Sequence, residues 1–136
     1  MRTNLASSLP LVKADPELLR RVITNLIDNA AEAMEASAMR QLTIATRFET
    51  EDDAVIVEIA DSGHGISPED KERLFLPHFS TKDRGTGLGL AIASRIVAEH
   101  NGSIRVEDNL PTGAKFVIRF PALEVPATPP TATPAA

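Results

Sequence analysis

The chain has 136 residues, a net charge of −5 and no cysteine. This length fits a single domain, and the negative charge argues against a nucleic-acid surface as the main function. A chain without cysteine has neither a disulfide framework nor a thiolate metal site. No apolar run approaches the roughly 18 residues that a membrane-spanning helix needs, so we expect this domain to be cytoplasmic and to make no direct membrane contact. Any membrane tether would lie outside this chain.

The first half of the chain predicts strands on either side of one long helix. Asp15-Pro16-Glu17 is typical of a helix start, because aspartate caps free N–H groups and proline fits the first turn. Apolar residues then recur at helical spacing to about Ser37, which indicates one buried helix face. The predicted elements of this half are short strands at residues 2–6 and 11–13, a helix at 15–37, and strands at 41–49 and 54–60.

The second half predicts two helices followed by a hairpin and a tail. Ser67-Pro68-Glu69-Asp70 starts the first of these helices, and Asn101-Gly102 ends the second. The order of elements predicts an α+β fold with helices on one face of a mixed sheet. The predicted elements are helices at 67–74 and 87–100 and strands at 103–108 and 114–120, within a domain at residues 1–121 and before a disordered, proline-rich tail at 122–136.

Two asparagines lie one helical turn apart on the long helix. Arg21, Asn25, Asn29 and Glu32 share one face. One interpretation is a solvated surface, although asparagine is a poor residue for a helix interior. The other is that the amide oxygens face a ligand. A neutral amide oxygen is a weak Mg²⁺ ligand, but it suffices where the metal arrives already bound to phosphates.

Five of the seven glycines lie in two short segments, Asp61-Ser62-Gly63-His64-Gly65 and Gly85-Thr86-Gly87-Leu88-Gly89-Leu90. In the first, an aspartate follows a buried strand, so its carboxylate is either a solvated turn residue or an acceptor for the edge of a base. In the second, glycines open a helix, where main-chain N–H groups can face an anion. The second segment is not a Walker A motif and lacks the spacing of a dinucleotide fingerprint.

The stretch between the glycine segments contains two phenylalanines and two basic residues. Phe75 and Phe79 are i, i+4 neighbours and are typical of core anchors. Lys82 and Arg84 are either ordinary surface charges or phosphate contacts. The three histidines are scattered, so the sequence predicts no histidine metal site.

Taken in order, these segments resemble the boxes of the sensor histidine-kinase catalytic domain. Residues 25–30 are similar to its N box, 61–65 to its G1 box, 75–82 to its F box and 85–90 to its G2 box, while Gly113-Ala114-Lys115-Phe116 resembles the last glycine motif. The resemblance covers roughly residues 9–121, and the residues within the boxes are similar to those of the nitrogen-regulation, NtrY-like sensor kinases. It implies the Bergerat fold, which gyrase, Hsp90 and MutL share: a two-layer α/β sandwich with a mixed, mostly antiparallel sheet covered on one face by about three helices.

The resemblance also implies roles for individual residues. Asn29 would bind Mg²⁺, Asn25 would support the phosphates, Asp61 would bind the adenine amino group, and residues 76–87 would form the ATP lid. The implied catalytic residues are Asn25, Asn29 and Lys82. The implied ATP-binding set is Asn25, Asn29, Asp61, Gly63, Gly65, Ile66, Phe75, Thr81, Lys82, Arg84, Gly85, Thr86, Gly87, Leu88, Gly89 and Leu90.

The chain also departs from the family pattern. Glu32 stands where many members have lysine or histidine, and Ala114 stands where a threonine is common. No H box with a phosphoacceptor histidine is present, so the resemblance implies a catalytic domain, expected to be monomeric when isolated. It would transfer phosphate to a dimerisation domain outside this chain, and in the full kinase a response regulator would follow. The alternatives are an ATPase of the gyrase or MutL type and a nucleotide-sensing or docking module without kinase activity.

Overall fold

The described part of the chain forms a five-stranded sheet and three helices, of which the two long ones pack on the sheet. The computed structural model describes residues 2–5, 12, 14–76 and 89–122. The strand order is β1-β2-β3-β5-β4, with β1 parallel to β2 and the other pairs antiparallel. The predicted α+β class with a mixed, mostly antiparallel sheet is therefore confirmed. In chain order the elements are β1 Arg2–Asn4, α1 Pro16–Ala33, β2 Thr43–Glu49, β3 Ala54–Ala60, α2 Pro68–Arg73, α3 Gly89–Glu99, β4 Ser103–Asp108 and β5 Ala114–Pro121.

Helix α1 begins as predicted but ends earlier. Asp15 caps it, and its Oδ1 accepts hydrogen bonds from the N–H groups of Glu17 and Leu18. The helix ends at Ala33 and not near Ser37, because the partners needed for a further turn are engaged elsewhere. The N–H of Ser37 donates to the Met34 carbonyl, while the Ala33 carbonyl accepts from the N–H of His64 at 3.3 Å. A contact from a distant loop thus replaces the last helical hydrogen bond.

The remaining boundaries differ little from the predicted ones. Strand β1 ends at Asn4 and not at residue 6, and α2 is one residue shorter at each end. The predicted strand at 11–13 and the start of the 87–100 helix fall largely outside the described residues, as does the tail beyond residue 122. The end of α3 is tied to the start of α1 by His100, whose Nε2 accepts from the N–H of Asp15 at 3.0 Å and whose Nδ1 donates to the Ile96 carbonyl.

The main core lies between the helices and one face of the sheet. Phe116 of β5 is fully buried and meets Phe75 edge to face, with ring centroids 6.1 Å apart. The core brings together buried side chains from both long helices, the inner sheet face and the C-cap of α2: Val22, Leu26, Ile59, Leu74, Ala93, Ile96, Val97, Phe116, Ile118 and Phe120.

The outer face of the sheet carries a narrow apolar strip formed by Ala54, Ile56 and Val117. In the strand register, Ile56 lies between Arg47 of β2 and Arg119 of β5. Long arginine side chains can cover apolar neighbours with their methylene groups while the guanidinium stays in water. The two arginines therefore provide the cover that helices provide on the inner face.

Candidate functional site

One ridge of α1 joins the two glycine segments. Asn25, Asn29 and Ala33 follow one another at i, i+4 spacing, so they span about 12 Å along one face of the helix. At one end, the Nδ2 group of Asn25 donates to the carbonyl of Gly89, the first residue of α3. At the other end, Ala33 packs against Gly63. Asn29 lies midway between them and is half-buried, and its side chain has no hydrogen-bond partner among the described residues.

The Asp61–Gly65 loop is packed tightly against the end of α1. A Cβ atom added at Gly63 would overlap the backbone of Ala33, so a side chain cannot be accommodated there. The hydroxyl of Ser62 accepts from the N–H of Gln41 at 2.8 Å and donates to the carbonyl of Met39 at 2.9 Å. The loop is thereby fixed to the segment between α1 and β2.

Asp61 is buried, with 1% of its surface exposed. Its N–H donates to the Ala114 carbonyl at 2.9 Å and so extends the pairing of β3 with β5 by one residue. Its Oδ1 accepts from the N–H groups of Gly63, at 2.8 Å, and Ala114, at 3.3 Å. Within the described residues, Oδ2 has no hydrogen-bond partner. A buried carboxylate oxygen of this kind is normally satisfied, so the geometry favours a ligand donor at Oδ2.

The turn from Asn109 to Gly113, which joins β4 to β5, closes over the Asp61–Gly65 loop. Asn109 Nδ2 donates to the Asp61 carbonyl at 2.7 Å, and Thr112 Oγ1 donates to the Gly63 carbonyl at 2.8 Å. Gly113 has a φ of +118°, and a Cβ atom there would overlap the Asp61 carbonyl. The sequence did not identify Asn109 or Thr112 as site residues, because their partners are almost fifty positions away.

Helix α2 is held beside this turn. Lys71 Nζ lies 2.6 Å from Asp108 Oδ1, at the end of β4. Two residues after the helix, Phe75 contacts Phe116 in the core, as expected for a core anchor. Ile66 and Leu90 also pack against the main core. All three residues stay predictions as nucleotide contacts.

The structure brings part of the predicted site together and leaves part of it undescribed. It brings Asn25 against Gly89, Gly63 against Ala33 on the same ridge as Asn29, and Asp61 and Gly65 against the turn at Gly113. The predicted phosphate-side residues and most of the predicted lid lie outside the described residues. These are Thr81, Lys82, Arg84, Gly85, Thr86, Gly87 and Leu88, and their roles stay predictions.

The described residues also set limits on a metal site and on membrane insertion. They contain no cluster of three or more histidine, cysteine, aspartate or glutamate side chains that could hold a metal ion. Among the described residues, the Asn29 amide oxygen is a group that could ligate a metal already bound to phosphates. Among the helices of the described part, none combines the length and the apolar character needed to cross a bilayer.

Two pKa shifts lie on the outer face of the sheet, at Glu49 and Arg119. Hydrogen bonding from the Arg119 guanidinium is the largest cause that lowers the pKa of Glu49, and the same contact raises the pKa of Arg119. The two atoms concerned, Arg119 Nη1 and Glu49 Oε1, lie 2.7 Å apart. These groups face away from the core, so their electrostatics stabilise the sheet and do not tune the candidate site.

The family model and similar curated proteins indicate the same protein family. Residues 14–124 match the family described as histidine kinase-, DNA gyrase B-, and HSP90-like ATPase. The sensor histidine kinase ZraS of Salmonella typhimurium is 40% identical over 124 residues, covering 90% of this chain and 26% of that protein. The sensor protein FixL of Bradyrhizobium diazoefficiens is 37% identical over 124 residues, covering 91% of this chain and 24% of FixL. The chain therefore spans about a quarter of the length of these relatives.

Solved structures agree with the sequence matches. The catalytic domain of histidine kinase ThkA superposes with a TM-score of 0.76 at 32% identity, covering 89% of this chain and 77% of that one. Full-length ShkA, solved in complex with AMPPNP, gives a TM-score of 0.78 at 31% identity and covers 91% of this chain and 26% of ShkA. The resemblance inferred from the four boxes is thus confirmed at the level of the family, while the NtrY-like grouping stays a prediction.

Proposed function

The chain belongs to the histidine kinase-, DNA gyrase B- and HSP90-like ATPase family, and from this premise we propose that it is the Mg·ATP-binding catalytic domain of a two-component sensor histidine kinase. It transfers the γ-phosphate of ATP to a histidine on a dimerisation domain outside this chain. Similarity to ZraS, to FixL and to the ThkA catalytic domain supports this function.

The observation that carries nucleotide binding is the environment of Asp61. One carboxylate oxygen is held by two backbone N–H groups, and the other has no partner among the described residues. An ionised carboxylate accepts hydrogen bonds and cannot donate them. It therefore suits the amino group of adenine and opposes the carbonyl oxygen that guanine presents at the same position.

Base selectivity tests this assignment. A hydrogen bond to a charged group contributes about 1.5–3 kcal/mol, and leaving the charge unsatisfied costs at least as much. Wild-type protein should therefore bind ATP roughly two orders of magnitude more tightly than GTP. Asp61→Asn keeps the shape of the side chain but turns an acceptor into a donor, so it should narrow or invert the preference.

Calorimetric titration of ATP and of GTP into wild type and into Asp61→Asn measures the four affinities. If the wild type binds GTP as tightly as ATP, Asp61 is only a turn residue and the adenine assignment is wrong. If Asp61→Asn keeps the full preference, the selectivity has another origin.

The α1 ridge supports phosphoryl transfer over hydrolysis. ATPases of the gyrase and MutL type, which this chain resembles, have a glutamate four residues before the metal asparagine, and this glutamate is the base that activates water. Here that position is Asn25, whose amide cannot take a proton and whose Nδ2 donates to the Gly89 carbonyl. Asn25 therefore acts as a link between α1 and the start of α3, next to the expected phosphate position.

Asn29 is the residue proposed to hold Mg²⁺. Its amide oxygen would supply one ligand, and the bound ion would neutralise phosphate charge during transfer. The half-buried position of Asn29 and the lack of a partner within the described residues fit this role. The rest of the phosphate side rests on Lys82 and the glycine segment at 85–90, which are proposed from the family resemblance.

Phosphoryl transfer to a separately supplied dimerisation domain tests the kinase assignment. The isolated chain should bind Mg·ATP without labelling itself, and it should label the histidine of the added domain from γ-labelled ATP. Asn29→Ala should reduce that transfer by at least a hundredfold while weakening metal-free nucleotide binding much less. Asp28→Ala is the matched control, because Asp28 is the exposed neighbour on the same helix and lies off the ridge.

The alternatives predict different results from the same experiment. Release of inorganic phosphate from ATP without transfer would favour an ATPase, and nucleotide binding without either reaction would favour a sensing or docking module. Full transfer by Asn29→Ala would contradict the metal assignment.

The finer features of the parent protein belong to the same proposal. We propose a response regulator as the next phosphate acceptor, a cytoplasmic position for this domain within a parent anchored in the inner membrane, and a monomeric state for the isolated domain. The wording of the boxes supports a nitrogen-regulation, NtrY-like kinase. The proposed domain covers residues 1–121, followed by a proline-rich tail at 122–136.

A further inference from the structure

We propose that the turn Asn109–Gly113 is the positioning element that aims Asp61 at the base, so that Asn109 and Thr112 set the nucleotide selectivity of the site. The inference rests on the proposed function, since it assumes that Asp61 contacts the base. Neither residue belongs to the four boxes, and neither is expected to touch the nucleotide itself.

The first step is the position of the two side-chain hydrogen bonds. Asn109 Nδ2 donates to the carbonyl of Asp61, and Thr112 Oγ1 donates to the carbonyl of Gly63. These two carbonyls flank the short segment whose last N–H, that of Gly63, orients Asp61 Oδ1. The turn therefore holds both ends of the segment that fixes the carboxylate.

The second step is that no regular pairing replaces these contacts. Strand β3 ends at Ala60, and the last ladder-like bond is the one from the Asp61 N–H to the Ala114 carbonyl. In the same pair of residues, the Ala114 N–H donates to the Asp61 side chain, at Oδ1. The carboxylate thus takes the place of a strand partner, and its orientation depends on where the turn lies.

The third step concerns the shape of the turn. Gly113 allows the turn to approach Asp61 because a side chain there would overlap the Asp61 carbonyl. The turn is further closed by the N–H of Asn109, which donates to the Gly113 carbonyl at 3.0 Å. The side chains of Asn109 and Thr112 therefore project from a closed turn and donate hydrogen bonds to the Asp61–Gly65 loop.

Base selectivity in turn variants tests the proposal. Thr112→Val keeps the side-chain shape and removes one donor, and Asn109→Ala removes the other. Each should reduce the ATP-to-GTP affinity ratio about threefold to tenfold, the loss expected for one hydrogen bond that positions the acceptor. Most of the change should be weaker ATP binding. Arg119→Met is the control, because it removes two ion pairs on the outer face and leaves the turn untouched.

Amide hydrogen exchange of the nucleotide-free protein gives a second readout that does not depend on binding. Loss of the turn contacts should speed exchange of the Gly63 and Ala114 N–H groups, which donate to Asp61. The expected increase in rate is about threefold to tenfold, as for the affinity ratio. The rest of β5 should exchange as in the wild type. Arg119→Met should not single out these two amides.

The outcomes separate this inference from the proposed function. If wild type prefers ATP, Asp61→Asn loses that preference and both folded turn variants keep it, the inference is wrong and the proposed function stands. If wild type shows no preference for ATP, both fail. Should Asn109→Ala not fold, the isosteric Thr112→Val decides alone.

Discussion

The loops around Asp61 and the outer face of the sheet use polar side chains in opposite ways. Around Asp61, side chains bond to backbone groups of other loops: Ser62 to residues 39 and 41, Asn109 and Thr112 to residues 61 and 63. On the outer face, charged side chains bond to one another across strands, as Arg119 does with Glu49 and Asp52. The first arrangement fixes the course of the chain, whereas the second covers an apolar strip.

This difference has an energetic basis. A buried backbone group that loses its partner costs about 1–3 kcal/mol, because water cannot replace the lost bond. A partly exposed ion pair contributes little, because water and salt compete with it. Damage near Asp61 should therefore be large and should alter nucleotide binding, while damage on the outer face should be small and sensitive to solution conditions.

The largest expected effect is that of Gly113→Ala. The new Cβ atom would overlap the Asp61 carbonyl, and the residue would have to keep a φ of +118°. The backbone has to move, so we expect a loss of at least about 3 kcal/mol in the free energy of unfolding. Gly65→Ala is the control, because Gly65 also has a positive φ, +79°, but its Cβ would meet only an ordinary contact at 3.4 Å. Urea denaturation should show a loss of about 1 kcal/mol there. Equal losses in the two variants would contradict the close contact between the turn and Asp61.

Much of this region could be predicted from the sequence, because its signals are local. The strand at 54–60 is a run of mostly apolar, mostly buried residues, and Asp61 ends it. The spacing of Asn25 and Asn29 places both on one helix face. The order of elements was enough to predict the fold class.

What could not be predicted depends on contacts between distant segments. The early end of α1 requires the His64 N–H to bind the Ala33 carbonyl, and no local preference of residues 33–37 encodes that. Asn109 and Thr112 have the composition of any polar turn. Only the pairing of β3 with β5 brings that turn over Asp61, so their role appears only in three dimensions.

The next largest effect is expected for Ser62→Ala. Ser62 is 9% exposed, and its hydroxyl serves both the Gln41 N–H and the Met39 carbonyl. Removing it leaves two backbone groups without their partner, so we expect a loss of about 2 kcal/mol in unfolding free energy. Ser67→Ala is the control: Ser67 caps α2 but is exposed, and water can replace it, so about 1 kcal/mol or less is expected. If thermal and urea unfolding give the same loss for both, side chain-to-backbone bonds do not distinguish the loop region.

The smallest effect on stability is expected for Arg119→Met, on the outer face of the sheet. The Arg119 guanidinium lowers the pKa of Glu49 below its ordinary value of 4.5. A carboxyl group whose pKa is depressed in the folded state contributes stability above its unfolded pKa, and loses that contribution as the pH falls through the folded pKa. The difference in melting temperature between wild type and Arg119→Met should thus be greatest at neutral pH and should shrink as the pH is lowered below about 4.5. Added salt at neutral pH should shrink the difference in melting temperature as well.

The control variant is Arg105→Met, which breaks an exposed ion pair with Glu107 and so tests for the loss of any surface arginine. Nucleotide selectivity should be unchanged in both arginine variants, because the Asp61 loop and its turn make no contact with these pairs. A difference that stays constant from pH 7 to pH 3 would mean that Arg119 stabilises the sheet by covering Ile56 and not by pairing with Glu49.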